Sequence, residues 1–225
     1  MANFLYQNDL PADLNLGNSI AIDTETTGLN LKRDRLCVIQ ISNGNGDAHL
    51  VKFNKNNFTP QSITNTNSLP TNMALPINME NIAPNLKKLL SDEKVLKIFH
   101  FARFDLAVLK SHLGLEIKNI YCTKIASRLI RTYSDAHGLK AICKELINVE
   151  LSKDQQSSDW GNENISEEQI KYAASDVLYL HRLKEKLDEM LKREDRLEIA
   201  NQCFKFLQTR SALDLLGFEN DIFSH

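Results

Sequence analysis

The chain has 225 residues and a mass of 25.6 kDa, enough for one ordinary domain with a substantial core. Its 27 Lys+Arg and 29 Asp+Glu give a formal charge of −2 and a pI near 6.3. That excludes a strongly basic protein that coats long nucleic acid by charge alone, but not one that holds a short anionic ligand in a local pocket. With 42% hydrophobic and 25% charged residues, wholesale disorder is excluded as well.

The N-terminal MANFLYQNDLPADL has neither a basic n-region nor a long apolar h-region. No stretch approaches the roughly 20 apolar residues of a membrane span. Cys37, Cys122, Cys143 and Cys203 are far apart and form no CxxC pair, so reduced core thiols in a cytoplasmic protein are expected rather than structural zinc or a disulfide framework. Ser19–Asp23, Leu36–Ile41 and Ala48–Phe53 are short, apolar and β-prone, and predict three strands. Between the last two, Asn43-Gly44-Asn45-Gly46-Asp47 supplies residues that tolerate positive φ, so the chain opens as an antiparallel meander. Residues 54–85 hold nine asparagines and four of the five prolines; a segment this long without periodicity reads as a surface insertion. Order returns with a short helix at 85–90, a strand at 95–99 and a helix over 101–113 stopped by Gly114. Further helices are expected at 121–131, 138–147, 167–192 and 194–216. Ser166 with Gln169 three residues on forms a capping-box start for the third of these. The pattern is α/β, with helices packed on a mixed sheet.

Four acids stand where folding does not need them. Asp23 and Glu25 lie at the end of the first apolar strand, in AIDTETTGL. Residues i and i+2 of a strand point to one face, and two adjacent carboxylates repel unless a cation lies between them. A hard divalent ion with oxygen ligands, Mg2+ or Mn2+, suits such a pair. Asp105, in KIFHFARFDL, falls in the first turns of a helix entered from a buried strand. Tyr172 and Asp176, in QIKYAASDV, are i and i+4 on one helix face. Singly, each has a plainer reading: two solvated acids at a strand end, a helix-start acid, a buried Tyr beside an acid. Together they offer four carboxylates and a phenol to one site, the requirement of two-metal phosphodiester hydrolysis, with ions about 3.5–4 Å apart. A phenol of pKa about 10 is a poor free base at neutral pH, and orients an attacking water more readily than it deprotonates one.

AIDTETTGL, KIFHFARFDLAVL and ISEEQIKYAASDVLYL, in that order, resemble the three motifs of a DEDDy 3'-5' exonuclease of the ribonuclease D type, Tyr172 marking the DEDDy class. DRLCVIQIS and QQSSDW extend the likeness over nearly the whole chain. The resemblance implies the ribonuclease H-like 3'-5' exonuclease fold, a mixed five- or six-stranded sheet flanked by helices. It also implies metal ligands at Asp23, Glu25, Asp105 and Asp176, two Mg2+ or Mn2+ ions, and a water-orienting Tyr172. No helical HRDC domain of the kind in full-length ribonuclease D is expected, and the resemblance is greatest to the single-domain nano-RNase C group. That implies cleavage of very short RNA, dinucleotides especially, to nucleoside 5'-monophosphates, and a homo-oligomer in the form of a ring-shaped octamer. The alternatives are trimming of tRNA or other structured RNA 3' ends, or a DNA exonuclease. The same resemblance gives substrate contacts: Leu29 as an apolar wedge against terminal bases, with Thr26, His100 and Trp160 lining the site.

Overall fold

A computed structural model describes residues 2–58, 82–152, 154–155, 157–218, 220 and 222–224. Six strands form one sheet: β1 Asn3–Gln7, β2 Ser19–Thr26, β3 Leu36–Ser42, β4 Ala48–Lys52, β5 Leu96–Phe99 and β6 Ile120–Cys122, in the order β1-β4-β3-β2-β5-β6. The meander is as expected, β2 antiparallel to β3 and β3 to β4. β5 pairs parallel with β2, β6 with β5, and β1 with β4. Every residue of β3 and β4 is buried, which is why these segments read as continuous rather than alternating apolar runs.

The helices among the described residues are α1 Pro84–Ser91, α2 Ala102–Leu113, α3 Thr123–Ile130, α4 Leu139–Ile147, α5 Glu167–Leu178, α6 Leu180–Arg193 and α7 Leu197–Leu215. α5 packs over β2, β3 and β4, while α7 packs on α2. Leu180, Leu183, Leu187 and Leu191 are fully buried along α6, so the leucine stripe is core and its Lys184–Asp188 pair at 2.6 Å is peripheral.

One strand was not expected, and two expected helices differ. β1 has an exposed, unpatterned sequence and exists because Asn3 to Gln7 register against Ala48 to Lys52, a pairing no local pattern announces. The first residues of the expected helix 121–131 are the strand β6, whose partner is Lys97–Phe99. The expected helix 167–192 is two helices, broken at Tyr179 (φ −108°, ψ −3°) without a Gly or Pro to signal it. Most of the expected insertion at 54–85 lies outside the described residues. Its flanks are ordered: Lys55–Phe58 is a 3-10 turn, and Pro84 opens α1.

Candidate active site

β2 is a central strand, and β5 accompanies it only from Ser19 to Ala21. Beyond that point β5 has ended and the chain has turned into α2. Asp23 and Glu25 therefore extend past their neighbour, into the crevice at the carboxyl ends of parallel strands where α/β proteins place ligands. The register between β2 and β3 shifts at Glu25/Thr26, a bulge that ends regular pairing beside the acids.

The turn from β5 to α2 brings up Asp105. Phe101 adopts a left-handed conformation there (φ 71°, ψ 43°), so the helix starts abruptly and Asp105, in its first turn, faces the core at 3% exposure. The Thr24 hydroxyl donates to Asp105 Oδ1 at 2.7 Å. From the other side, α5 approaches the sheet on its small face, where Ala173 and Ala174 are buried, and delivers Tyr172 and Asp176. Its start is fixed by the expected capping box, Gln169 N–H to Ser166 Oγ at 3.2 Å and Ser166 N–H to Gln169 Oε1 at 2.9 Å. The Gln169 amide reaches further, donating to Ser158 Oγ at 3.1 Å and to the Asp159 carbonyl at 3.3 Å, and so ties α5 to the loop that carries Trp160.

The ligand oxygens of Asp23, Glu25 and Asp176 lie within 4.8 Å of one another. Asp105 lies outside that trio, close enough to Asp23 for the charge of Asp23 to oppose its ionisation. All four carboxyls are pushed above the usual carboxylate range, first by burial. Repulsion from Asp23 adds for Glu25, Asp105 and Asp176, and hydrogen bonds from Thr24 to Asp105 partly offset it. Among the described residues none of the four makes an ion pair with Lys or Arg. A buried set of like charges with no cation of the chain among them is costly as it stands; an all-oxygen donor set of this kind fits a hard divalent ion. The pKa of the Tyr172 hydroxyl is raised by burial and by the nearby Asp176, Glu25 and Asp23, so the phenol keeps its proton at neutral pH.

The other expected residues fall in different places. Leu29 projects at 83% exposure from a loop that is firmly braced. Asp34 accepts from the Asn30 N–H at 2.9 Å and pairs with Arg33 at 2.8 Å, and the Arg35 N–H donates to Thr27 Oγ1 at 3.0 Å. Gly28 suits that loop, because a Cβ there would collide with Asp34 Oδ2 and displace the carboxylate that braces the turn. The Thr26 hydroxyl donates to the Gly28 carbonyl, tightening the same turn. His100 is half-buried, with Nδ1 2.9 Å from Thr123 Oγ1; burial and the nearby Lys124 push its pKa down to about 3, so the imidazole is neutral. Trp160 departs from expectation. At 2% exposure it offers no open face to a base. Its ring lies 6.1 Å from that of Tyr172, and its carbonyl accepts from the buried Lys52 ammonium at 2.7 Å. The side chain is a core support under the phenol, because the loop is also anchored by Arg35, which donates to the Gly161 carbonyl at 2.8 Å.

Sequence reasoning passed over Gln40. Its amide donates to Asp23 Oδ2 at 2.9 Å. The signal was present as the one amide in the apolar strand LCVIQIS.

Residues 7–192 match the 3'-5' exonuclease family. Over their full lengths this chain and NrnC of Brucella melitensis with bound Mg2+ are 49% identical, with a TM-score of 0.85. NrnC bound to pGG gives 50% identity, coverage of 100% of this chain and 99% of that one, and a TM-score of 0.84. Ribonuclease D of Gluconacetobacter diazotrophicus is 35% identical over 118 residues, 52% of this chain and 30% of that protein, so the chain spans about a third of the length of such curated relatives. The mixed six-stranded sheet flanked by helices is the ribonuclease H-like exonuclease fold. Fold, carboxylate cluster and likeness agree: this chain belongs to the 3'-5' exonuclease family, enzymes that hydrolyse phosphodiester bonds.

Proposed function

We propose that the chain is a single-domain exoribonuclease that removes nucleoside 5'-monophosphates from the 3' end of very short RNA, dinucleotides foremost, with two divalent ions. The observation that carries this reading is the convergence of Asp23, Glu25 and Asp176 within 4.8 Å, with Asp105 and Tyr172 against them. Likeness over the full length to a protein seen with Mg2+ and with pGG supports a divalent ion and a short substrate, as does the near-neutral charge.

Two Mg2+ or Mn2+ ions bound at such a site supply Lewis acidity at the scissile phosphate and a water of lowered pKa. The chain's own residues do the rest. Asp23, Glu25, Asp105 and Asp176 hold the ions, and lose protons in doing so. Tyr172, still protonated beside Asp176, orients the attacking water. Leu29 lies against the terminal bases from its braced loop. Thr26 closes the turn that presents Leu29. His100 contributes a neutral imidazole at the site wall. Leu216, Phe218, Ile222 and Phe223 near the C-terminus are exposed apolar residues, available for burial against further copies of the chain in a ring-shaped octamer.

The test is cleavage of 5'-labelled RNAs of two to about twenty nucleotides, a range wider than one short stacking site holds, with Mg2+ or Mn2+. Dinucleotide turnover far above that of longer RNA is the expected result. Equal rates at all lengths, or preference for structured 3' ends, favour a ribonuclease D-like trimming enzyme, and preference for DNA favours a DNA 3'-5' exonuclease. No metal-dependent cleavage overturns the reading. Sedimentation tests the assembly, and a stable monomer contradicts it.

A further inference from the structure

Asp23 and Gln40 are directly opposed across the β2–β3 ladder, so their side chains rise from one face of the sheet. Gln40 is fully buried in the middle of β3, and its Nε2 donates to Asp23 Oδ2 at 2.9 Å. Its Oε1 is buried without a hydrogen-bond partner among the described residues. Turning the amide over would place Oε1 against the carboxylate, oxygen to oxygen, so the orientation is fixed by Asp23. A buried amide that leaves one end unsatisfied is a poor choice for stability alone. One residue along β2, Thr24 is 7% exposed and gives its hydroxyl to Asp105 Oδ1 at 2.7 Å. Each neutral donor thus holds one oxygen of one acid. Neither donor brings a charge that would compete with a cation.

We infer that Gln40 and Thr24 are positioning residues, which fix the carboxylates of Asp23 and Asp105 in one orientation before divalent ions bind. This rests on the proposed metal site. Hydrogen-bonded partners of metal ligands typically change metal affinity or activity by about 10–100-fold when removed, because the ligand must be re-oriented on binding. The contribution is made before the ion arrives, so it shows in the affinity for the ion more than in the rate at saturating metal.

The experiment measures Mn2+ binding to the full chain by isothermal titration and by paramagnetic resonance, alongside the Mn2+ dependence of dinucleotide hydrolysis. The variants are Gln40→Leu, Thr24→Val, Thr24→Ser and Asp23→Ala. Gln40→Met and Thr24→Ala replace the first two if circular dichroism shows either unfolded. Expected is a loss of Mn2+ affinity of about 10–100-fold in Gln40→Leu and in Thr24→Val, a parallel shift of the half-saturating Mn2+ concentration, and recovery of most of the parent rate at high Mn2+. Thr24→Ser, which keeps the hydroxyl, retains parental affinity. Folded Gln40→Leu and Thr24→Val with parental Mn2+ affinity, while Asp23→Ala has lost the ion, overturn the positioning role alone. Unchanged binding in Asp23→Ala as well overturns the metal site and the inference together.

Discussion

Tyr172 and Asp176 stand one helical turn apart, and the surroundings of the phenol decide what it can do. Burial and three nearby carboxylates raise its pKa, so it can hold a water but not deprotonate one. Tyr172→Phe keeps the ring and removes only the hydroxyl; kcat is expected to fall by about 100-fold or more, the lower range for a group that handles a proton in the transition state, with Mn2+ affinity little changed. Asp105→Asn is expected to lower both rate and Mn2+ affinity. Stopped-flow hydrolysis with titration of the ion separates the two, and a Tyr172→Phe variant with parental kcat would refute the role. Trp160 makes the opposite point. By type it suggests a base-stacking platform, yet its ring is enclosed against Tyr172 and its carbonyl is held by Lys52. Trp160→Ala is therefore expected to cost about 3–5 kcal/mol of stability, read by urea unfolding, as a core truncation and not a loss of substrate contact alone. A variant that unfolds like the parent would show that the ring is not part of the core.

At the scale of the element, the loop between β2 and β3 works as a presenting arm. Asp34 fastens it from within and leaves no room for a side chain at Gly28, while Leu29 stays open to solvent. Removing an exposed side chain costs the fold little, so Leu29→Ala is expected to raise KM for dinucleotides several-fold with an unchanged melting temperature. Gly28→Ala must displace Asp34 and is expected to lower both stability and activity. Equal behaviour of the two variants in a thermal melt would contradict this division. The strands β2, β3, β4 and β5 were legible because each is a short apolar run bounded by turn residues. β1 and β6 were not, because each is defined by a partner far along the chain, Ala48–Lys52 and Lys97–Phe99. The break at Tyr179 was hidden for a similar reason: the apolar face continues from Val177 into Leu180, so periodicity runs through the interruption.

Across the whole molecule, the acids make stability depend on pH and on the ion. Their folded-state pKa values are raised, Asp23 to about 7 and Glu25 to about 10, so between the ordinary carboxylate range near pH 4 and those values the folded state binds more protons than the unfolded one. By linkage, the site's contribution to stability falls as pH rises through that window. A bound cation reverses the trend, because it takes the place of the protons and binds only the folded form tightly. Melting temperatures with chelator and with Mn2+ are expected to diverge more at pH 8 than at pH 5, and the divergence to vanish in Asp23→Ala. An equal Mn2+ gain at both pH values would count against a metal site of these acids.

The sequence by itself determined the α/β class, the meander, the start of α5 at its capping box, and the three segments that carry Asp23, Glu25, Asp105, Tyr172 and Asp176, because strand alternation, helix spacing and caps are local properties of the chain. Only the tertiary structure decided which oxygens meet, that Trp160 lies beneath Tyr172, that Leu29 stands free, and that Gln40 and Thr24 face the acids. Those facts depend on register between strands distant in sequence and on how closely α5 can approach the sheet, and distances between side chains are set by that packing rather than by any order of residues along the chain.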